Sequence, residues 1–145
     1  VSMAASFALS IEDQDSLLDL MFVGTDSYRF TTGRSFGKAA NMLEILACVE
    51  PCREQSFQLL IRLIMQNLSE LSGLVIILLD WDDKRQEMVR RFIAMNLPVL
   101  VFVTTDNPDG QTLPYGPLES RPEHLVPLGT EDVQASLDRI NLNRI

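Results

Sequence analysis

Short apolar runs alternate along the chain with segments in which apolar residues recur every three or four positions. The runs predict strands, and they span residues 17–23, 74–79, 98–103 and 125–128. The periodic segments predict helices, and they span residues 4–11, 42–47, 57–71, 88–93 and 133–140. The uninterrupted runs at 74–79 and 98–103 are typical of strands buried on both faces of a parallel sheet. Together these patterns predict an α/β fold with a mainly parallel sheet and helices on both of its faces.

Turn and capping residues set the ends of several predicted elements. Residues 24–27, Gly-Thr-Asp-Ser, form a turn sequence, so residues 28–31 are expected to return antiparallel to the first strand as a hairpin. Asp82 or Asp83 is expected to cap the helix that follows them. Pro127 lacks a backbone donor, which predicts an edge strand at the end of the sheet.

The remaining patterns concern connections and boundaries. Residues 107–123 are rich in Pro, Gly and polar groups and are expected to form a long surface loop. The spacing of a core-facing helix begins within the first few residues, so we expect the chain to be a fragment of a longer protein. Because no internal repeat is present, we predict a single domain over residues 1–145. The longest apolar run, residues 74–79, is far shorter than the ~20 residues of a membrane span.

Composition and charge narrow the classes of function. The chain has 145 residues, 46% of them hydrophobic, which is enough to bury a core without disulfides. Its 12 basic and 20 acidic side chains give a net charge of −8. This charge excludes nucleic acid as the expected partner, because phosphates require a basic face. The two cysteines, Cys48 and Cys52, form no disulfide framework and favour a reducing compartment. We therefore expect a cytoplasmic protein, unless an upstream segment tethers it to a membrane.

Carboxylates follow the two predicted buried strands. Asp80 comes directly after residues 74–79, with Asp82 close behind, and Asp106 follows residues 98–103. Ligands of open parallel sheets bind beyond the carboxyl ends of the strands, and carboxylate oxygens suit Mg²⁺. The alternative is that Asp80 and its neighbours only interact with the positive end of the next helix.

Other residues that carry chemistry have simpler interpretations. His124 is the only histidine, so a catalytic triad would have to use it; beside a Pro-rich loop we expect a solvated or packing role. Cys48 and Cys52 flank Pro51 and have no second ligand pair, which favours packing cysteines over a zinc site. Trp81 is expected to cover the end of a helix.

Several short motifs together resemble one bacterial family. They are the hairpin, Thr32-Gly33-Arg34, residues 40–47 (Ala-Asn-Met-Leu-Glu-Ile-Leu-Ala), residues 71–73 (Leu-Ser-Gly) and residues 77–82 (Ile-Leu-Leu-Asp-Trp-Asp). The chain is similar to the domain-of-unknown-function family 58, whose members carry a von Willebrand factor A-like domain. Genes of that family often neighbour genes for MoxR-type AAA+ ATPases. The resemblance covers most of the chain and is strongest over residues 17–106.

The resemblance implies a Rossmann-like parallel sheet with one antiparallel hairpin strand and a metal-ion-dependent adhesion site. Such a site combines an Asp-x-Ser-x-Ser loop after the first strand, a Thr from a second loop and an Asp after a later strand. Asp80 matches the late Asp, and Asp82 is a further candidate ligand. Thr32, or Thr31 beside it, lies in the region that supplies the Thr. The first strand and its loop would precede Val1, so Mg²⁺ is expected to bind only with that upstream loop present. No catalytic residue and no organic cofactor is implied.

A missing first strand would leave a gap in the sheet. Unpaired buried backbone groups are costly. We therefore predict that the hairpin pairs directly with the strand at residues 74–79, or that a second chain fills the gap by strand exchange or as a homodimer. The implied function is a non-enzymatic protein-interaction domain that works with a MoxR-like AAA+ ATPase in the assembly or maturation of other proteins. Metal-dependent binding of the partner is expected in the full-length protein.

Two other functions stay open on the sequence. Asp80-Trp81-Asp82 after an apolar strand fits the Asp-x-Asp motif of Mg²⁺-dependent phosphohydrolases of the haloacid dehalogenase type. There one carboxylate is the nucleophile and the other is the acid/base. Lys84 stands where that family usually has Thr or Val. The third interpretation is an α/β domain that only packs within a larger protein.

Overall fold

The structure is a computed structural model of the chain, and it describes residues 1–10, 18–24, 27–32, 38–50, 57–106 and 113–129. The chain divides into two compact units, Val1–Ser69 and Glu70–Ile145. The first contains a two-stranded antiparallel sheet and the second a three-stranded parallel sheet. The predicted α/β fold is confirmed, and the single domain stays a prediction.

The bounds of the elements follow the hydrophobic pattern closely. The first unit contains α1 (Ser2–Ser10), β1 (Leu18–Val23), β2 (Ser27–Thr32), α2 (Lys38–Ala47) and α3 (Phe57–Gln66), and a 3₁₀ turn (Leu68–Glu70) comes next. The second contains β3 (Leu74–Leu78), α4 (Asp83–Ala94), β4 (Val99–Thr105), 3₁₀ turns at Gly116–Leu118 and Pro122–His124, and β5 (Leu125–Gly129). The helix predicted at 133–140 lies outside the described residues, as does part of the loop predicted at 107–123.

The predicted hairpin is confirmed. β1 and β2 pair antiparallel, with Phe22 opposite Tyr28 and Leu20 opposite Phe30. Side chains alternate across a strand, so these four residues share one face of the hairpin. The rings of Phe22 and Tyr28 are stacked with centroids 5.1 Å apart, and Phe30 continues the stack 6.3 Å from Tyr28. Leu20 packs against the cluster formed by the buried Met42 of α2, which fixes this face toward the helix.

The opposite face of the hairpin carries an ion pair that reaches the end of α3. Arg29 donates to Asp19 Oδ2 at 2.8 Å and also to Asn67 Oδ1. The amide of Asn67 donates to the Leu63 carbonyl at 2.7 Å, which is the acceptor that its backbone N–H would use in a continuing helix. The backbone N–H of Asn67 instead donates to the Ile64 carbonyl at 3.0 Å, as in a 3₁₀ turn. The predicted helix end at residue 71 is therefore wrong, because a side chain ends α3 before Asn67.

β4 is the centre of the parallel sheet. It pairs with β3 on one side and with β5 on the other, in the order β3–β4–β5. Residues 99–103 are at most 4% exposed, which confirms a strand buried on both faces. In β3 only Ile76 and Leu78 are buried, and Leu79 lies beyond the strand with 83% of its surface exposed. The prediction of a strand buried on both faces along 74–79 is thus wrong, because Ile76 and Leu78 lie on one face, the rest of β3 is half-buried and Leu79 is exposed. β5 is an edge strand within the described residues, as Pro127 predicts.

α4 connects β3 to β4 and is capped at both ends. Asp82 is the N-cap, and its Oδ1 accepts the backbone N–H of Arg85 at 2.9 Å. At the other end Asn96 has a positive φ of 58°, a conformation that Asn tolerates better than most residues. The N–H of Leu97 then bonds to the Phe92 carbonyl at 3.2 Å, which is the long hydrogen bond of a Schellman motif. The predicted cap at Asp82 is confirmed.

The inner face of α4 packs on the sheet with one exception to the prediction. Met88, Val89 and Phe92 are 1%, 0% and 0% exposed. Ile93 is 37% exposed, so its predicted place in the core is wrong. At about 100° per residue, Ile93 lies roughly 90° around the helix from the centre of the face that Met88, Val89 and Phe92 form.

The hairpin and β3 belong to separate sheets in the described part of the chain. The predicted direct pairing between them is therefore wrong. Each of the two sheets has its own ladder partners, β1 with β2 and β3 with β4. Strand exchange or homodimerisation stays a prediction.

Candidate functional site

The carboxyl end of β3 carries the carboxylates that the sequence pattern places beyond the sheet. Asp80 follows β3 after one residue, and its side chain is 65% exposed. Asp82 comes next as the N-cap of α4. Asp106 follows β4 and is exposed. Because parallel strands end at the same edge of a sheet, all three carboxylates lie at the edge where ligands of parallel sheets bind.

Arg85, in the first turn of α4, forms ion pairs with the first two of these carboxylates. Its Nη1 lies 2.6 Å from Asp82 Oδ2 and 3.7 Å from Asp80 Oδ2. The other oxygens accept backbone N–H groups: Asp82 Oδ1 accepts that of Arg85, and Asp80 Oδ1 accepts that of Trp81 at 2.8 Å. Every oxygen of the two carboxylates is therefore engaged by a donor or cation of the chain itself.

These contacts act on the protonation of Asp82. The backbone N–H of Arg85 lowers the pKa of Asp82, and the hydrogen bond and charge of the Arg85 guanidinium act in the same direction. Asp82 is therefore ionised at neutral pH. A general acid that works near pH 7 needs a raised pKa, whereas the pKa of Asp82 is lowered, which opposes the acid step of phosphohydrolase chemistry.

A network of three hydrogen-bonding groups holds residues 113–118 against the start of α4. Trp81 is buried, and its Nε1 donates to the Pro114 carbonyl at 2.7 Å. Gln86 donates from Nε2 to the Trp81 carbonyl at 3.1 Å. Gly116 has a φ of 53°, which strains an L-residue, and a Cβ there would overlap the Gln86 side-chain carbonyl and displace it. The predicted packing role of Trp81 at a helix end is confirmed.

Sequence reasoning missed the partners in this network. Pro114 lies 33 residues after Trp81, and no local pattern links them. The one available signal is the Tyr-Gly-Pro sequence at 115–117, since Gly before Pro favours a turn. The 3₁₀ turn Gly116–Leu118 forms there.

Two large apolar side chains are exposed on the segments that this network joins. Leu79 is 83% exposed, more than any other large apolar residue that the structure describes, and Tyr115 is 47% exposed. The first comes directly before Asp80, and the second lies between the Pro114 carbonyl and Gly116. We call Leu79, Asp80 and Tyr115 the β3-end surface.

The candidate metal ligands fall in both units. Asp80 and Asp82 belong to the second unit, and Thr31 and Thr32 are the last residues of β2 in the first. Among the residues that the structure describes, no group of three or more His, Cys, Asp and Glu side chains could hold a metal ion. The Arg85 guanidinium lies against the oxygens that a cation would need. As arranged, the Asp80–Asp82 pair does not fit Mg²⁺.

His124 and Cys48 lie away from the carboxylates at the end of β3 in the sequence, and each contacts or faces a different part of the molecule. His124 Nδ1 lies 2.9 Å from the Val99 carbonyl, a contact that holds the 3₁₀ turn before β5 against β4 and accords with a packing role. Cys48 is exposed just after α2. Its predicted packing role is wrong, because the helix turns that position away from Met42 and Leu46, which form the buried face. Cys52 lies outside the described residues.

Comparison with known proteins assigns no family to the chain. No family model, no curated protein and no solved structure matches it. None of the helices in the described ranges combines the length and the apolar character that a membrane crossing requires.

Proposed function

We propose that the chain is a protein-interaction domain whose partner binds at the β3-end surface. The exposure of Leu79 carries this proposal: the residue directly continues a strand with a buried end, yet 83% of its surface faces solvent. Exposed apolar, aromatic and charged side chains, on two segments that the Trp81–Pro114 hydrogen bond joins, have the composition of a small interface core with a polar rim. Asp80 supplies the charge and Tyr115 the aromatic ring.

The frame beneath this surface supports the proposal. The Trp81–Pro114 and Gln86–Trp81 hydrogen bonds hold both segments of the surface on α4. Binding by a preorganised surface loses less conformational entropy than binding by mobile loops. The position of Leu79 next to β3 adds to this, because the strand is fixed by its ladder with β4.

The finer assignment rests on the family resemblance. Three parallel strands in chain order, together with a separate antiparallel hairpin, are compatible with a von Willebrand A-like domain. On that basis the partner is a MoxR-like AAA+ ATPase, and the domain acts with it in the assembly or maturation of other proteins. Two cysteines without a disulfide framework favour a cytoplasmic location. Because the Asp80–Asp82 pair does not fit Mg²⁺ as arranged, binding of the partner by this chain is expected to be independent of metal.

A charge placed on the apolar centre of the surface tests the proposal. Leu79→Asp is expected to weaken binding of the purified MoxR-type ATPase from the same genome by about tenfold or more, as expected when an interface anchor is lost. Met95→Asp is the matched control: Met95 is also exposed, at 41%, but lies at the opposite end of α4. Equal binding by wild type, Leu79→Asp and Met95→Asp would exclude the β3-end surface as the interface.

The phosphohydrolase stays the second candidate because one observation favours it. Asp80 directly follows the strand end and its carboxylate is 65% exposed, as a nucleophile must be to reach a substrate. The lowered pKa of Asp82 and the Arg85 contacts oppose it. Hydrolysis of an aryl phosphate ester in the presence of Mg²⁺, abolished by Asp80→Asn, would establish this activity, and we expect no hydrolysis above the rate of that variant.

A further inference from the structure

We propose that Arg85 takes the place of a divalent cation at the carboxyl end of β3. Its Nη1 donates to Asp82 Oδ2 at 2.6 Å and lies at the longer ion-pair distance of 3.7 Å from Asp80 Oδ2. The two carboxylates are thereby brought to one cationic centre supplied by the chain itself. The inference concerns the chain alone and does not depend on any partner protein.

The placement of Arg85 follows from the helix start. Asp82 is the N-cap of α4, and its Oδ1 accepts the Arg85 N–H. Arg85 is three residues after Asp82, so the two side chains lie on the same side of the first turn. The guanidinium offers several donors in a fixed plane and stays charged at every relevant pH. The guanidinium thus supplies a fixed positive charge to both carboxylates without a metal.

A cation would have to displace this guanidinium or bind beside it. A divalent ion carries two positive charges and Arg85 carries one. At a separation of about 5 Å in water, their repulsion energy exceeds the free energy of a tenfold change in binding. The ion would also lose the two Oδ2 atoms as ligands. Removing the Arg85 charge is therefore expected to tighten cation binding by about tenfold or more, with Asp80 and Asp82 as its ligands.

Trp81 makes the test direct, since it is the only tryptophan of the chain and stands between the two aspartates. Mn²⁺ quenches the fluorescence of a nearby indole, so a titration with Mn²⁺ alone reports binding at this position. The variants are Arg85→Gln, Arg85→Ala and Arg85→Lys. Arg90→Gln is the matched control, because Arg90 forms an exposed i,i+3 pair with Glu87 at 2.5 Å on the same helix.

The expected result is half-quenching at about tenfold lower Mn²⁺ for Arg85→Gln and Arg85→Ala than for wild type. Arg85→Lys and Arg90→Gln are expected to match wild type. Adding Asp80→Asn to Arg85→Gln should abolish the gain. The Arg85 backbone N–H that donates to the N-cap Asp82 is present in every variant, and far-UV circular dichroism checks the fold.

Three results would overturn the inference. One is tight Mn²⁺ binding by the wild-type chain, equal to that of Arg85→Gln. Another is the absence of any gain in both folded variants that lack the charge. The last is an equal gain in Arg90→Gln, which would show a general effect of net charge rather than a local exchange of cations.

Discussion

Gly116→Ala tests how residues 113–118 are held on α4, the frame on which the β3-end surface depends. Gly116 has a φ of 53°, and an L-residue in this conformation loses about 1 kcal/mol. The new Cβ also overlaps the Gln86 side-chain carbonyl and forces that side chain away. Gln86 then loses its hydrogen bond to the Trp81 carbonyl, which contributes about 1 kcal/mol. The expected loss in the free energy of unfolding is about 2 kcal/mol.

A double-mutant cycle separates the two effects. Gln86→Ala alone loses only the hydrogen bond, about 1 kcal/mol. In that background Gly116→Ala meets no side chain and loses only the backbone term. The double variant is therefore expected to lose about 2 kcal/mol rather than the 3 of the added single variants, a coupling of about 1 kcal/mol.

The assay is urea unfolding followed by Trp81 fluorescence and circular dichroism. Gly24→Ala is the control, because a Cβ at Gly24 meets only the Tyr28 ring at an ordinary 3.4 Å; it is expected to have little effect. Additivity of Gly116→Ala and Gln86→Ala within about 0.3 kcal/mol would refute the predicted clash and the hydrogen bond that it breaks.

Three further predictions concern the fold and its pH dependence. Arg29→Met should lower the free energy of unfolding by about 1–3 kcal/mol, because the Asp19 carboxylate, which is 14% exposed, then loses its cation. Urea unfolding followed by circular dichroism measures this loss, and an unchanged midpoint would contradict the prediction. Phe92→Ala should lower the same free energy by about 3–5 kcal/mol, since the ring is fully buried; a loss under about 1 kcal/mol would show that the site is not packed. The folded pKa of Asp82 is lowered from the ordinary value of 3.8, chiefly by the hydrogen bond from the Arg85 backbone N–H. Its contribution to stability is therefore complete above that value and disappears as the pH falls through the folded pKa. Asp82→Asn should therefore lose less stability than wild type as the pH falls below about 4 in thermal unfolding, and parallel curves in that range would contradict this.

Elements defined by local pattern could be predicted from the sequence. β4 is an uninterrupted apolar run in the sequence and is fully buried over residues 99–103. The cap at Asp82 and the hairpin around Gly24 follow from side-chain and turn chemistry within a few residues. These features depend on contacts between near neighbours, which an amino-acid pattern records directly.

Features that depend on distant contacts could not be predicted. Asn67, whose side chain bonds to the Leu63 carbonyl where α3 ends, also accepts a hydrogen bond from Arg29, 38 residues earlier in the chain. The exposure of Leu79 could not be predicted either. An apolar run in the sequence does not show at which residue the strand ends. In the candidate site, the sequence places Asp80 and Asp82 correctly at the strand end. It does not show that Arg85 lies between them, since (i, i+3) spacing alone is equally typical of a solvated helix face.

The central claim is that the β3-end surface binds a protein partner without a metal ion. Isothermal titration of the MoxR-type ATPase with wild type and with Leu79→Asp, each in EDTA and in Mg²⁺, tests it most directly. The account predicts equal affinity of the wild-type chain in both buffers and a loss of about tenfold or more in Leu79→Asp. Binding that requires Mg²⁺, or that is unchanged by Leu79→Asp, would contradict it.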